Sequence, residues 1–491
     1  MKKTILIPII VLLLSVSVIV IAQEPGDTLW TNSYGEANSD MGWCVQQTSD
    51  EGYIISGWTE SFGAGSYDIY LVKTDEQGDT LWTRTYGEDG SDDARCIRQT
   101  PDGGYIIAGN TQPIGVMGSY IWLIKTNSLG DTLWTQKWGE TPMPHINTGR
   151  CVQLTSDDGY IISGHSQFLG SNNEDICLIK TNSNGNTEWV NFYGGTNYEI
   201  GYWTQQTSDG GYIIVGYTTS FGNGNEDIYL VKTDASGTIE WTNTYGGTGT
   251  DFGYSVQQTS DDGYVIVGFT DSFGAGSYDV YVVKTDAVGD TMWTRTFGGA
   301  NFDKGYSIQA ISDGTYIVSG TTRSFGDPAG DVYLLKLDSS GDIIWSGTYG
   351  EANDDRGWSV QQTGDENYIV CGYTCSTGSA DVYLLKIAGE GTGIENSVVL
   401  QEKIFVSNYP NPFNPSTTIS FSLISESTEN TELIIYNLKG QEIRQYSIFN
   451  NQSSIIWDGK DDNGNNVSSG IYLYKITSGN FTSIKKMILM K

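Results

Sequence analysis

The 491 residues include 38% hydrophobic and 12% aromatic side chains, enough to bury a large core over two or more domains, which excludes a disordered chain. Fifty-eight Asp and Glu against twenty-six Lys and Arg give a formal charge of -32. A field of that sign repels nucleic acid and anionic lipid, so neither is an expected partner; it suits a solvated acidic surface or the binding of cations.

The chain opens on Met1-Lys2-Lys3, runs apolar from Ile5 to Ile21 and ends that run in Val20-Ile21-Ala22. A charged head, hydrophobic centre and small-residue exit form the pattern of a secretory signal peptide, expected over residues 1–22. The run is also long enough to span a bilayer, so an uncleaved anchor is the alternative.

Between residues 23 and 387 one unit of about fifty residues recurs, a period that signals stacked blades or coils. The tryptophans of its Asp-Thr-Leu-Trp-type segment stand at Trp30, Trp82, Trp134, Trp189, Trp241, Trp293 and Trp345, at intervals of 52, 52, 55, 52, 52 and 52. Each unit holds four strand-like runs, here called a, b, c and d. In the second unit they cover 95–100, 105–111, 121–126 and 131–138, separated by turns such as Pro101-Asp102-Gly103-Gly104. The Tyr, Ile, Val, Thr and Trp content, broken by turn residues, excludes helix for most of this region. Strands b and c, such as Tyr212-Ile213-Ile214-Val215, are apolar on both faces, as in sheets with a neighbour stacked on each side. The repeated Trp then serves as a large anchor between adjacent sheets.

The two ends decide between an open stack and a ring. The chain enters with a d strand, 27–34, that has no a, b and c before it, and leaves with a, b and c, 358–387, lacking a d. The N-terminal strand can complete the last sheet, and closure removes both edges that an open stack must cap. The expected fold is all-β: a seven-bladed β-propeller of four-stranded blades, followed by a small sandwich. The repeat region resembles bacterial secreted β-propellers. Its c–d turn, with Asp234, Gly237 and Trp241, is similar to the tryptophan-docking pattern of quinoprotein-type propellers, and that likeness implies a packing role only.

Six cysteines are thinly spread. Cys44, Cys96 and Cys151 share one place in successive repeats, where later repeats carry Trp203-Thr204, Ser255, Ser307 and Ser359, which reads as a small buried position rather than half of a disulfide. Cys371 and Cys375 are too far apart on an extended strand to pair, and Cys177 stands alone. Zinc-type Cys and His spacing is missing, and neither a cofactor nor a metal is expected.

A Gly-rich connector, 388–402, leads into a tail at 403–491 that reads as a β-sandwich pinned at its start by prolines. The tail carries Tyr409-Pro410-Asn411-Pro412-Phe413-Asn414-Pro415, then Trp457-Asp458-Gly459, Gly470-Ile471-Tyr472 and the basic end Lys485-Lys486. These motifs closely resemble the type A C-terminal sorting domain of the type IX secretion system, related to the immunoglobulin-like domain of hook-capping proteins. The resemblance implies passage through the outer membrane of a Gram-negative bacterium by contact with the secretion machinery, then release or attachment at the surface. Asp458, Asp461, Asp462 and Asn463 read as a hairpin turn, with a calcium loop as the alternative.

An acidic residue precedes strand a in most blades, at Asp40, Asp92, Glu199, Asp251, Asp303 and Asp355, with Asn147 in the third; such a carboxylate accepts loop N–H groups, or joins a ring of cation ligands. Three residues on come Trp43, Arg95, Arg150, Tyr202, Tyr254, Tyr306 and Trp358. With strand a innermost, this set rings one mouth of the channel, where aromatics and guanidiniums suit sugar faces and carboxylates; the alternative is packing between blades. Arg95 and Arg150 depart from the aromatic rule, and between them lies an insertion, 141–147, holding His145. Neither a nucleophile elbow nor a distinct pair of carboxylates marks a catalytic centre. The function expected is that of an exported, monomeric surface module binding polysaccharide or a surface protein. A glycan hydrolase or lyase and a structural surface-layer component are the alternatives.

Overall fold

The computed structural model describes residues 24–115, 118–139, 147–167, 173–351, 353–375, 378–390, 405–409, 415–422, 431–448, 454–478 and 481–490. The leader, His145 with the rest of 141–146, most of the connector, and Pro410, Asn411, Pro412, Phe413 and Asn414 lie outside them. Two compact units divide the chain, Met1–Gly393 and Ile394–Lys491.

The first unit contains seven four-stranded antiparallel sheets. Six are built from consecutive a, b, c and d strands; the seventh takes its fourth strand, Thr28–Tyr34, from the start of the chain. That strand pairs with Asp381–Ile387 from Tyr34 opposite Val382 to Thr28 opposite Ile387. The a strands lie side by side around the axis, and the last, Arg356–Gln362, meets the first, Asp40–Gln47. The ring is therefore closed, as the mismatched ends require.

Strand a starts earlier than its composition suggests. In the second blade it spans Gly90–Gln99 rather than 95–100, because loop backbone groups continue the ladder past the polar Ser91-Asp92-Asp93. In every blade the register slips two residues after the acidic position, as between Gly42 and Cys44, which leaves Trp43 as the extra residue of a bulge. Glycine opposite makes this possible: a Cβ on Gly57 would sit 1.7 Å from the Met41 carbonyl oxygen.

Blades adhere through the predicted tryptophans. Trp30, Trp82, Trp189 and Trp241 stand edge-on to Tyr53, Tyr105, Tyr212 and Tyr264 of the next blade, with centroids 5.8–6.0 Å apart. The Tyr34 and Tyr245 hydroxyls donate to the Gly78 and Gly289 carbonyls at 2.6 and 2.7 Å. Each buried aromatic of this kind contributes about 2–3 kcal/mol by leaving water. A buried lysine on strand c ties the a–b turn of its own blade: Lys125 meets Asp102, Lys180 meets Asp157 and Lys232 meets Asp209, each at 2.8 Å.

The acidic residues at the start of strand a accept loop N–H groups, Asp251 from Gly247 at 2.8 Å and Asp303 from Gly299 at 2.8 Å. Each also faces a second carboxylate at the start of strand c in the preceding blade. A Cβ on Gly298 would lie 2.0 Å from Asp279 Oδ1 and 2.7 Å from Asp303 Oδ2. At the third blade both acids are replaced, and Asn147 Nδ2 donates to the Ser119 carbonyl at 3.0 Å. All six cysteines are free thiols, five of them buried.

In the second unit a three-stranded sheet (Phe405–Tyr409, Thr417–Ser422, Ser454–Trp457) and a four-stranded one (Thr431–Asn437, Glu442–Ile448, Gly470–Ser478, Phe481–Leu489) share a core of Ile419, Leu433, Ile435, Trp457, Tyr472, Tyr474 and Met487. Trp457 is fully buried, donates from Nε1 to the Lys460 carbonyl at 2.9 Å and stands 5.0 Å from Tyr472. Tyr409 pairs with Thr418, Gly470 with Leu489, and Lys485 and Lys486 are exposed on the last strand. At Asp461–Gly464 the Asp461 carboxylate accepts the Asn463 and Asn465 N–H groups at 3.0 and 2.8 Å, the geometry of a hairpin turn.

Candidate functional site

The bulges aim one side chain per blade at the axis, and the seven meet. Centroids of Trp43 and Trp358 are 4.5 Å apart, Trp358 and Tyr306 3.9 Å, Tyr306 and Tyr254 5.2 Å, and Tyr254 and Tyr202 4.6 Å. The Arg150 guanidinium lies 5.1 Å from the Tyr202 ring, and that of Arg95 lies 4.2 Å from Trp43. All seven sequence-predicted channel residues within the described chain thus form one layer across the bore. Burial pushes the Tyr306 hydroxyl up to about 12 and raises that of Tyr254 as well. Burial, and then the neighbouring charge of Arg95, lowers the pKa of Arg150.

On the side of the layer where strand a begins, two more positions per blade line the face. One lies two residues before the bulge residue, the other beside it on strand b. They differ from blade to blade, whereas the scaffold repeats. Blades two and three are polar there. Asp93 forms an ion pair with Arg95 and accepts from Asn110 Nδ2 at 2.7 Å, and Asn110 Oδ1 accepts the Gly149 N–H at 2.7 Å. His165 Nε2 is 3.5 Å from a Glu174 oxygen. Burial, with Arg150 and Arg95 nearby, pushes the His165 pKa well below the usual imidazole range, so it is neutral at pH 7; burial raises Glu174.

Blades four and five are aromatic instead. Tyr217 is 4.2 Å from Phe252, Phe252 is 4.9 Å from Phe269 and Phe269 is 4.8 Å from Tyr278, by centroids. Lys304 Nζ lies 4.0 Å from the Phe269 centroid; burial, then the charges of Arg356 and Arg323, bring its pKa down to about 8. A cationic and carboxylate arc therefore adjoins an aromatic arc over a common floor. Such an array can stack a sugar ring and pair its hydroxyl or acid groups. Asp93, Asn110, Glu174, Tyr217, Phe252, Phe269 and Lys304 were not singled out by sequence reasoning. Aligning the repeats column by column would have found them, because these two columns vary most among otherwise similar blades.

Residues 407–490 match the family model described as a secretion system C-terminal sorting domain. Fold and tail together define an exported β-propeller, carried by contact with the type IX secretion machinery to the cell surface or the medium of a Gram-negative bacterium. A curated relative, the regulatory protein FlaEY of Caulobacter vibrioides, is 26% identical over 157 residues, 27% of this chain and 16% of that protein. The chain therefore matches less than two thirds of that relative's length. Among solved structures, the Pan2 WD40 domain of Neurospora crassa has a TM-score of 0.46 at 12% identity, over 75% of this chain and 98% of that one. PorZ of Porphyromonas gingivalis, described as an essential bacterial surface component of the type-IX secretion system, has a TM-score of 0.28 at 11% identity, over 92% and 81%.

Proposed function

We propose that this exported propeller is a monomeric, non-enzymatic binding module that holds a polysaccharide against the face above the seven-residue layer. The observation that carries the reading is the pairing of Arg95 and Arg150 on adjacent polar blades with the aromatic arc of Tyr217, Phe252 and Phe269. Aromatic faces stack on the apolar sides of sugars, and guanidiniums grip carboxylates in a fixed fork. A glycan array followed by a turnover assay on each hit tests the reading. Binding without product, lost in Arg95→Ala/Arg150→Ala, supports the module. Product release moves the reading to a hydrolase or lyase, for which the raised Glu174 beside His165 would be the acid. Binding only to surface proteins, or silence with self-assembly, sinks both.

A further inference from the structure

Beyond the seven-residue layer, towards the ends of the a strands, lies a cavity of about 190 Å³, lined by Gln46, Gln153, Gln205, Gln257, Gln309 and Gln361, with Arg98 in the second blade. On the scale of buried water sites this is room for on the order of ten waters, or a small organic molecule.

The orientation of the glutamines is set by the ring. In five of them the amide oxygen is already spent on the neighbouring blade. Gln361, Gln46, Gln205, Gln257 and Gln309 accept the backbone N–H of Gln47, Gln99, Gln258, Ala310 and Gln362 at 2.5–2.9 Å. An amide whose oxygen faces the wall has only its NH₂ left for the cavity. The sixth, Gln153, accepts from Arg98 Nε at 3.0 Å and turns its own nitrogen to Cys151.

Arg98 replaces glutamine at this position in one blade only. Its Nη1 donates to the Ile97 carbonyl at 2.6 Å and to Cys44 Sγ at 3.3 Å, and its plane lies 5.2 Å from the Trp203 ring. Among the described residues it has no carboxylate partner, in a chain with a formal charge of -32. A half-buried guanidinium without a counter-ion, encircled by amide donors, is a site for an anion. One positive charge among neutral donors matches a monoanion better than a phosphate dianion.

We infer that this cavity binds a small carboxylate, held by the Arg98 guanidinium and the inward NH₂ groups of the five oriented glutamines. The site is separate from the polysaccharide face and does not depend on it. Calorimetric titration of the full chain with sodium acetate and sodium glucuronate, at ionic strength fixed with sodium chloride, tests it. Saturable one-to-one uptake is expected, weakened about tenfold or more in Arg98→Gln, as for loss of one charge-assisted contact. The other six blades carry glutamine at this position, so the variant keeps the scaffold. Gln153→Glu offers Arg98 a carboxylate from within; it should abolish uptake while the melting temperature holds or rises. Absence of saturable heat in the unaltered protein, or equal affinity in either variant, would overturn the site. So would an ultraviolet thiolate band at neutral pH that vanishes in Arg98→Gln, because a cysteine would then be the counter-ion.

Discussion

The indoles of Trp43 and Trp358 stand 4.5 Å apart across the seam where the first blade meets the last. They join through side chains what the Thr28–Tyr34 strand joins through backbone bonds. Truncating either to alanine should cost about 2–3 kcal/mol, below a full core loss because both are partly exposed. The double variant should cost less than the sum, by about 0.5–1.5 kcal/mol for an aromatic pair. Denaturant unfolding of the four proteins measures the coupling; strict additivity would mean that the seam is held by the strand alone.

Two sets of carboxylates give stability opposite slopes with pH. Burial opposes ionisation of Asp102, Asp157 and Asp209, but Lys125, Lys180 and Lys232 with nearby turn groups hold them down at about 2. Their stabilisation is full above the ordinary Asp value and is lost as pH falls towards 2. Asp331 is raised to about 6, chiefly by burial and further by the charges of Asp355 and Asp327. Its contribution is full below the ordinary Asp value and is lost as pH rises through 6. The melting temperature should therefore climb as pH drops from 7 to about 5, then fall steeply below 4. Asp331→Asn should flatten the upper limb and leave the acid limb in place; an unchanged upper limb would refute the assignment.

Restoring the repeat's own residue in the third blade should do harm. Asn147 Nδ2 donates to the Ser119 carbonyl, and an aspartate there would turn a donor into an anion facing that oxygen. Asn147→Asp is expected to destabilise by about 1–3 kcal/mol, against near neutrality for Asp251→Asn, which keeps an acceptor for the Gly247 N–H. Thermal unfolding of the two variants side by side decides it.

The ring was legible because it rests on covalent order: a 52-residue tryptophan period and a d strand displaced to the front of the chain. The bulge was hidden, since Trp43 differs from any strand residue only through the Gly57 opposite it. The site was legible in part. Arg95 and Arg150 stood out as exceptions to an aromatic column, but the meeting of their layer depends on distances between blades. Arg98 did not stand out, because its meaning rests on which end of each glutamine amide faces the next blade's backbone, and composition does not record that.

Export should depend on the folding of the tail as well as on its motifs. Trp457 fills the centre of a core of eleven buried residues, and Trp457→Ala would leave a cavity and lose the bond to the Lys460 carbonyl, at a cost of about 3–5 kcal/mol. A sandwich of under a hundred residues has little stability to spare. The variant should accumulate inside the outer membrane, as should a chain lacking 403–491, while the propeller melts at its normal temperature. Surface display can be read by protease shaving of whole cells. Normal arrival of Trp457→Ala would show that the sorting signal is read as an extended sequence and not as a fold.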